Sequence, residues 1–253
     1  MRRKLRLIDR VLLVLATIGD LVEEIHDPGG WMAGYYRNLY GWIPARYKRS
    51  NFRKEVEMML RTDLIEKVTK KGKPFLRIIS GGKRQLERDF PIFAFRKGKW
   101  DGICTLMSFD IEEIIRRKRD CFRSWLYSIG AGKMQQSAYL LPYDLAIEVR
   151  EVVKNFGLSG QVRVFLTNLD FIEDKKAFAR KIWKLKRVEK KYQEILSMLL
   201  SVKNKTGKGK KKLIQKAKAK FIEALVRDPF LPRELLPKDW VGNRVKQLLK
   251  ALS

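Results

Sequence analysis

Residues 100–144 read WDGICTLMSFDIEEIIRRKRDCFRSWLYSIGAGKMQQSAYLLPYD, and their pattern sets the fold class. An apolar segment, Ile103 to Phe109, has strand composition and ends on an acid, Asp110. The spacing then predicts a basic helix over Glu112 to Ile129, with Ile115, Cys121, Phe122, Trp125, Leu126 and Ile129 at helical intervals. Gly130 and Gly132 stop it. A second strand is expected over Met134 to Leu141, closed by Pro142. Strand, helix and strand in so few residues make the first half of a βαββαβ unit.

Downstream, a helix is expected from Asp144 to Phe156, then a turn at Gly157 and Gly160, then an alternating strand over Gln161 to Thr167. The order is that of a ferredoxin-like unit, although no fourth strand is evident before Glu173. The pattern from Asp174 to Leu200 predicts one long helix, with Phe178, Ile182, Leu185, Tyr192, Ile195, Leu196 and Leu199 as its apolar stripe. NKTGKGKKK, Asn204 to Lys212, reads as a flexible lysine-rich loop. A helix over Leu213 to Leu225, a proline-rich tract over Asp228 to Gly242 and a short helix over Asn243 to Leu252 complete the chain.

The N-terminal region has the grammar of a winged helix. A first amphipathic helix is expected over Leu5 to Ile25, turn chemistry over Asp27 to Gly30, and a second helix over Trp31 to Tyr40 carrying Met32, Tyr35, Tyr36 and Leu39. A third helix begins near Ser50 or Asn51, either of which can serve as N-cap. Its apolar face is Phe52, Val56, Met59 and Leu60, and its other face and N-terminal end carry Lys48, Arg49, Ser50, Asn51, Arg53 and Lys54. Leu64 to Thr69 and Pro74 to Ile79 then read as a β-hairpin with a basic tip around Lys70, Lys71, Gly72 and Lys73. In that arrangement the third helix enters the major groove and the hairpin lysines meet phosphates. Residues 80–95 read as a short helix and connector with Pro91 as punctuation.

Charge supports a polyanionic partner. The chain of 253 residues carries 56 Lys and Arg against 28 Asp and Glu, a formal net charge of +28. Residues 1–100 are net +12, residues 101–174 net −2, and residues 175–220 net +16. The positive potential therefore flanks a near-neutral βαββαβ unit, and double-stranded DNA is the expected partner. A membrane surface is not, because the basic helices lack long apolar faces with anchoring tryptophans. The opening MRRKLRLIDRVLLVLATIG mimics a secretory signal, but Asp9 and Arg10 precede the apolar run, Asp20 follows it and no small-residue cleavage site appears. The same residues make a better soluble helix, and a cytoplasmic protein is expected. Cys104 and Cys121 have no metal-ligand spacing and read as buried thiols of a reducing compartment.

Catalytic chemistry is sparse. A single histidine, His26, excludes a Ser-His-Asp set and a two-histidine metal site, and GGK at Gly81 to Lys83 is too short for a phosphate loop. No cofactor and no metal site are expected. Asp110, followed by Glu112 and Glu113, is the one candidate metal-holding group. The favoured alternative is that it caps the following helix, where acids suit the helix dipole. Gln135, Gln136 and Ser137 read either as exposed strand polars or as dimer contacts.

A strand-ending aspartate, an arginine-rich helix, glycine and then Gln-Gln-Ser resembles the ferredoxin-like endonucleases of CRISPR spacer acquisition. The chain resembles more closely the PaaX-type transcriptional repressors, whose central domain carries a similar unit. Its tract DPFLPRELLPKDWVG, Asp228 to Gly242, is similar to that family's DPxLPxELLPxDWPG, with Val241 where proline is usual. The tract reads as a structural clasp over the long helix, with a ligand contact as the alternative. The resemblance implies an α+β protein with a winged-helix DNA-binding domain over 1–95, a ferredoxin-like domain over 96–172 and a C-terminal helical domain over 173–253. It implies a sequence-specific, homodimeric DNA-binding repressor with an acyl-CoA-like small-molecule effector, rather than an enzyme. The DNA-binding set is Lys48, Arg49, Ser50, Asn51, Arg53, Lys54, Lys70, Lys71 and Lys73, joined by Lys208, Lys210, Lys211 and Lys212 of the lysine-rich segment. A metal-dependent nuclease built on the central unit, and a nucleic-acid-binding adaptor without regulation, are the rival readings.

Overall fold

A computed structural model describes residues 5–22, 36–44, 46–90, 93 and 99–252. His26, the turn over Asp27 to Gly30, the first part of the second helix with Trp31, Met32 and Tyr35, and the Pro91 connector lie outside the described residues. The chain is α+β and divides into two units. One contains Phe90–Val188 and Asp228–Asp239; the other contains Lys4–Asp89, Glu189–Arg227 and Trp240–Ser253.

The second of these is built around its first helix. The elements are α1 (Leu7–Ile18), β1 (Leu21–Val22), α2 (Arg37–Tyr40), α3 (Arg49–Arg61), β2 (Ile65–Lys70), β3 (Lys73–Ile78) and α4 (Ser80–Asp89). In α1, Val11, Leu12, Leu13, Val14 and Leu15 are each at most 2% exposed. A helix apolar all round has to be enclosed on every side. It packs on α3, α4 and β3, and also on helices from the far end of the chain, Gly207–Leu225 and Val241–Ala251. Aromatic side chains distant in sequence complete this core. Trp42 meets Phe221 at 6.0 Å, and Tyr192 meets Phe221 and Trp240 at 6.1 and 5.9 Å. The predicted first helix thus ends seven residues early, at Ile18, because the chain turns into β1 to pair with β3.

The hairpin is regular. β2 and β3 pair antiparallel from Ile65↔Ile78 to Lys70↔Lys73, and the sheet order is β1-β3-β2. Lys71 and Gly72 have φ of 49° and 73°. Two successive positive φ values are what a two-residue type I′ turn requires, and they match the twist of the paired strands.

The first unit holds β4 (Cys104–Phe109), α5 (Arg116–Ser128), β5 (Gly132–Gln135), β6 (Ala138–Leu141), α6 (Ala146–Asn155) and β7 (Val162–Thr167). All pairings are antiparallel and the order is β5-β6-β4-β7. This is a complete βαββαβ unit. The strand expected over Met134 to Leu141 is in fact a tight hairpin, with Gln136 and Ser137 at its turn. That correction supplies the strand missing from the sequence reading. Phe109, Met107, Tyr139 and Val162 are buried in the sheet, as are Phe122, Leu126, Val149 and Val153 of the helices. Thr105 is buried in β4, where its hydroxyl donates to Tyr143 O at 2.9 Å and accepts from Leu145 N–H at 2.8 Å. It thereby fixes the entry to α6. Cys104 is buried, and burial pushes its thiol up to about 12. Cys121 is exposed, contrary to expectation, because α5 buries only Phe122 and Leu126 and Cys121 lies a helical step to one side.

The long helix expected from Asp174 to Leu200 is two helices, α7 (Lys175–Ile182) and α8 (Leu185–Ser201). Asp174 caps the first by accepting from Lys176 and Ala177 N–H. The break has a packing cause. The Trp183 indole donates to Gly130 O at 2.8 Å, and its ring lies where a Cβ on Gly132 would sit, 2.8 Å away, so only glycine fits there. Lys184 follows with φ of 51°. The unit boundary falls inside α8, after Val188. The lysine-rich segment is not a loop: α9 (Gly207–Leu225) begins within it. The last helix is α10 (Val241–Ala251). In the proline-rich tract, a 3-10 turn over Arg233–Leu235 packs on α7, and Tyr143 OH donates to Phe230 O at 3.0 Å. These contacts suit the clasp reading. Among the described residues no helix is long and apolar enough to cross a membrane.

One ion-pair cluster ties the hairpin to the residue that precedes β1. Asp20 accepts hydrogen bonds from Lys70 and Arg77. Burial pushes its carboxyl up, but these hydrogen bonds and charges outweigh burial and hold it below its ordinary value. A carboxyl depressed on folding adds stability that is complete above its unfolded pKa and lost as pH falls through the folded value. Asp20→Asn should therefore cost about 1 kcal/mol at neutral pH. The difference from wild type in thermal melts should close as pH drops below about 4. A pH-independent difference would show that these ion pairs contribute nothing.

Candidate nucleic-acid interface

The outward face of α3 is set by what the helix buries. Phe52, Val56 and Met59 point into the core, and Tyr40 meets Phe52 edge-on at 5.2 Å. The helical period then leaves Ser50, Asn51, Lys54, Met58 and Arg61 exposed. Lys48, rather than Ser50 or Asn51, is the N-cap residue, with φ −64° and ψ 139°, and it makes no side-chain cap. The helix starts earlier than expected because Phe52 N–H already donates to Lys48 O. Ser50 and Asn51 thus sit in the first turn, where neither acts as the cap.

Other predicted residues are held by neighbours. The Arg49 guanidinium lies 5.4 Å over the Tyr40 ring. The Tyr40 hydroxyl in turn donates to Tyr47 O. Arg53 is paired with Glu57 at 2.7 Å, one turn on along α3. Lys70 is engaged by Asp20 and lies 5.4 Å over the Phe75 ring. Lys71 and Lys73 are exposed at the hairpin tip. Lys208, Lys210, Lys211 and Lys212 are exposed in the first turns of α9, whose first turn carries no acid.

All thirteen predicted positions lie in the same unit. Sequence reasoning stopped at Lys54 on α3 and missed Met58 and Arg61. With Lys54, Glu57 and Thr62 these line a shallow groove on the helix surface. Counting on from Asn51 and Lys54 by seven residues reaches both.

The acids after β4 behave differently from expectation. Asp110 does not cap a helix. Its own N–H donates to Gln161 O, and the helical chain begins only with a 3-10 turn over Glu113–Ile115, whose N-cap is Glu112. Asp110 thus precedes the cap positions of both helical segments, Glu112 for the 3-10 turn and Ile115 for α5. Glu113 is paired with Arg119 at 2.6 Å and Arg116 at 3.4 Å. The hydrogen bond from Arg119 leads in holding its carboxyl below the usual value. Among the described residues no three His, Cys, Asp or Glu side chains gather as a metal ion needs.

Two protein-family models match this chain. One, described as the PaaX protein central Cas2-like domain, matches residues 97–179. The second, described as the PaaX-like protein C-terminal domain, matches residues 183–253. No curated protein sequence matches the chain. Among solved structures, the uncharacterized protein Rv0674 from Mycobacterium tuberculosis is similar, at 17% identity and a TM-score of 0.50, over 96% of this chain and 94% of that one. That likeness concerns the fold alone. The two family matches together span more than half of the sequence and include the βαββαβ unit and the DPFLPRELLPKDW tract, and on that ground the chain belongs to the PaaX family.

Proposed function

We propose that this protein is a sequence-specific, double-stranded DNA-binding transcriptional regulator, acting as a cytoplasmic homodimeric repressor. The observation that carries the reading is the outward face of α3. It presents Ser50, Asn51, Lys54, Met58 and Arg61 along one helix whose other face is firmly seated in the core. A rigid helix with donors and a basic end is the element that reads base edges in winged-helix proteins. Beside it in sequence stands a hairpin with Lys71 and Lys73 at its tip, suited to phosphates.

The start of α9 supports the same partner. Four exposed lysines crowd the positive end of a helix dipole, where cations are unfavourable on their own. A phosphate backbone there would offset both the dipole and the side-chain charge. Family membership makes a regulator the natural class and an acyl-CoA-like molecule the natural effector class. It gives the proposal no catalytic role, and Glu113, one of the acids that follow Asp110, is engaged by Arg119.

Binding to DNA upstream of its own gene, followed by gel shift, tests the readout. Asn51→Ala should cost about 1–3 kcal/mol on a specific site and much less on unrelated DNA. Equal losses on every sequence would remove Asn51 from base recognition.

Replacing Lys208, Lys210, Lys211 and Lys212 together with Gln should flatten the salt dependence of binding, by roughly one unit of slope for each phosphate no longer neutralised. An unchanged slope would mean that the start of α9 faces away from DNA.

With magnesium or manganese the purified protein should leave single- and double-stranded DNA and RNA intact, and Asp110→Asn should bind DNA as wild type does. Metal-dependent cleavage that vanishes in Asp110→Asn would favour the nuclease reading instead.

A further inference from the structure

Charge changes sharply where the βαββαβ unit runs into α7. Residues 101–174 are net −2, whereas residues 175–188 carry seven Lys and Arg and no Asp or Glu. One of the seven, Lys175, is taken up by Asp170 at 2.9 Å. Four others, Lys181, Lys184, Lys186 and Arg187, crowd the corner between α7 and α8 and are exposed. Among the described residues none of these four meets a carboxylate. Like charges gathered this closely disfavour one another unless a counter-charge arrives.

The corner is fixed in place. Ile182, Trp183, Leu185 and Val188 are buried between the cations, and the Trp183 indole fastens the turn to Gly130 O. Arg187 N–H closes it on Lys184 O at 3.0 Å. Lys184 itself has φ of 51°, a left-handed backbone that glycine adopts freely and lysine adopts with strain. Lys71, at the tip of the β2-β3 hairpin, shares that conformation. In both places a charge stands on an exposed corner whose backbone is already set, so little ordering entropy is lost when an anion binds.

The chemistry of the corner selects its occupant. Uncompensated positive charge on a fixed surface fits a polyanion. Residues 175–188 expose no large apolar side chain, so the corner has nothing to insert into a bilayer. They expose no aromatic ring on which the bases of a single strand could stack. Charge alone remains, and charge alone meets the phosphates of a duplex without reading its sequence.

We infer that the α7–α8 corner is a further contact for duplex phosphates. Lys181, Lys184, Lys186 and Arg187 hold the DNA backbone irrespective of sequence, from a unit other than the one that carries α3 and the hairpin. This rests on the DNA-binding reading above and adds to it a surface outside the winged-helix elements.

The test is the salt dependence of binding of the full chain to two labelled duplexes, one from upstream of its own gene and one unrelated, read by fluorescence anisotropy. Replacing the four cations together with Gln should flatten the slope by roughly one unit for each phosphate no longer neutralised, and by about two units or more in all. Affinity for the two duplexes should fall by the same factor. Lys118, Arg150, Lys154 and Arg163 are exposed in the same unit. Changing those four to Gln removes equal charge, and the slope should stay within about half a unit of wild type. Lys184→Gly relieves the left-handed backbone, so it should melt no lower than wild type and still lose about one unit of slope. That variant decides the matter if the fourfold one does not fold. A wild-type slope in Lys184→Gly and in the folded fourfold variant overturns the corner contact and leaves the DNA-binding reading standing. An equal loss in the control, or a loss confined to the upstream duplex, does the same. A wild type that binds neither duplex overturns both.

Discussion

Most of the larger unit follows from the burial of α1. Five consecutive residues, Val11 to Leu15, are almost wholly withdrawn from water. At roughly 25 cal/mol per Å² of apolar surface, their burial is a large share of what any small core can gain. One neighbouring layer cannot cover a helix that is apolar on every side. The N-terminal elements α3, α4 and β3 cover part of it, and α9 and α10 supply the remainder. The N-terminal and C-terminal parts of the chain are therefore held in one core, knitted further by Trp42, Tyr192, Phe221 and Trp240. The seating of α3 follows from this, because Phe52, Val56 and Met59 can point inward only if there is a core to receive them.

The βαββαβ unit answers to a different requirement, that of buried polar groups. Thr105 in the middle of a sheet would be costly if its hydroxyl were unpaired. Instead it links Tyr143 and Leu145 and fixes the loop between β6 and α6. The Trp183 indole likewise needs an acceptor when buried, finds Gly130 O, and so brings its ring onto Gly132. This second contact explains why the helix expected after Asp174 is interrupted.

Electrostatics is redistributed by folding. Basic residues that look equivalent in sequence become different in kind. Arg53 and Lys70 are paired with Glu57 and Asp20, and Arg49 stacks on Tyr40. Asn51, Lys54, Lys71, Lys73 and the lysines that open α9 remain exposed. Composition counts charge; the fold decides which charges are engaged by neighbours inside the protein.

Residue order alone was enough for the α+β class, the family and most helices and strands. The class and the elements rest on local periodicity: 3.6 residues for α3, α5 and α10, two for the hairpin over residues 65–78 and for β7. The family was legible in the DPFLPRELLPKDW tract. Only the packed chain could settle what local pattern does not encode. The turn at Gln136-Ser137 splits an apparently continuous strand, because Ala138 to Leu141 pairs back on β4 and β5. Trp183 splits an apparently continuous helix, because its ring seeks a glycine fifty-one residues earlier in the chain. The cap position expected of Asp110 falls to Glu112, where the chain first turns helical, and Cys121 loses its burial to a helix face that only packing defines. Periodicity reports which face of an element is apolar, and the partner that covers that face lies far away in sequence.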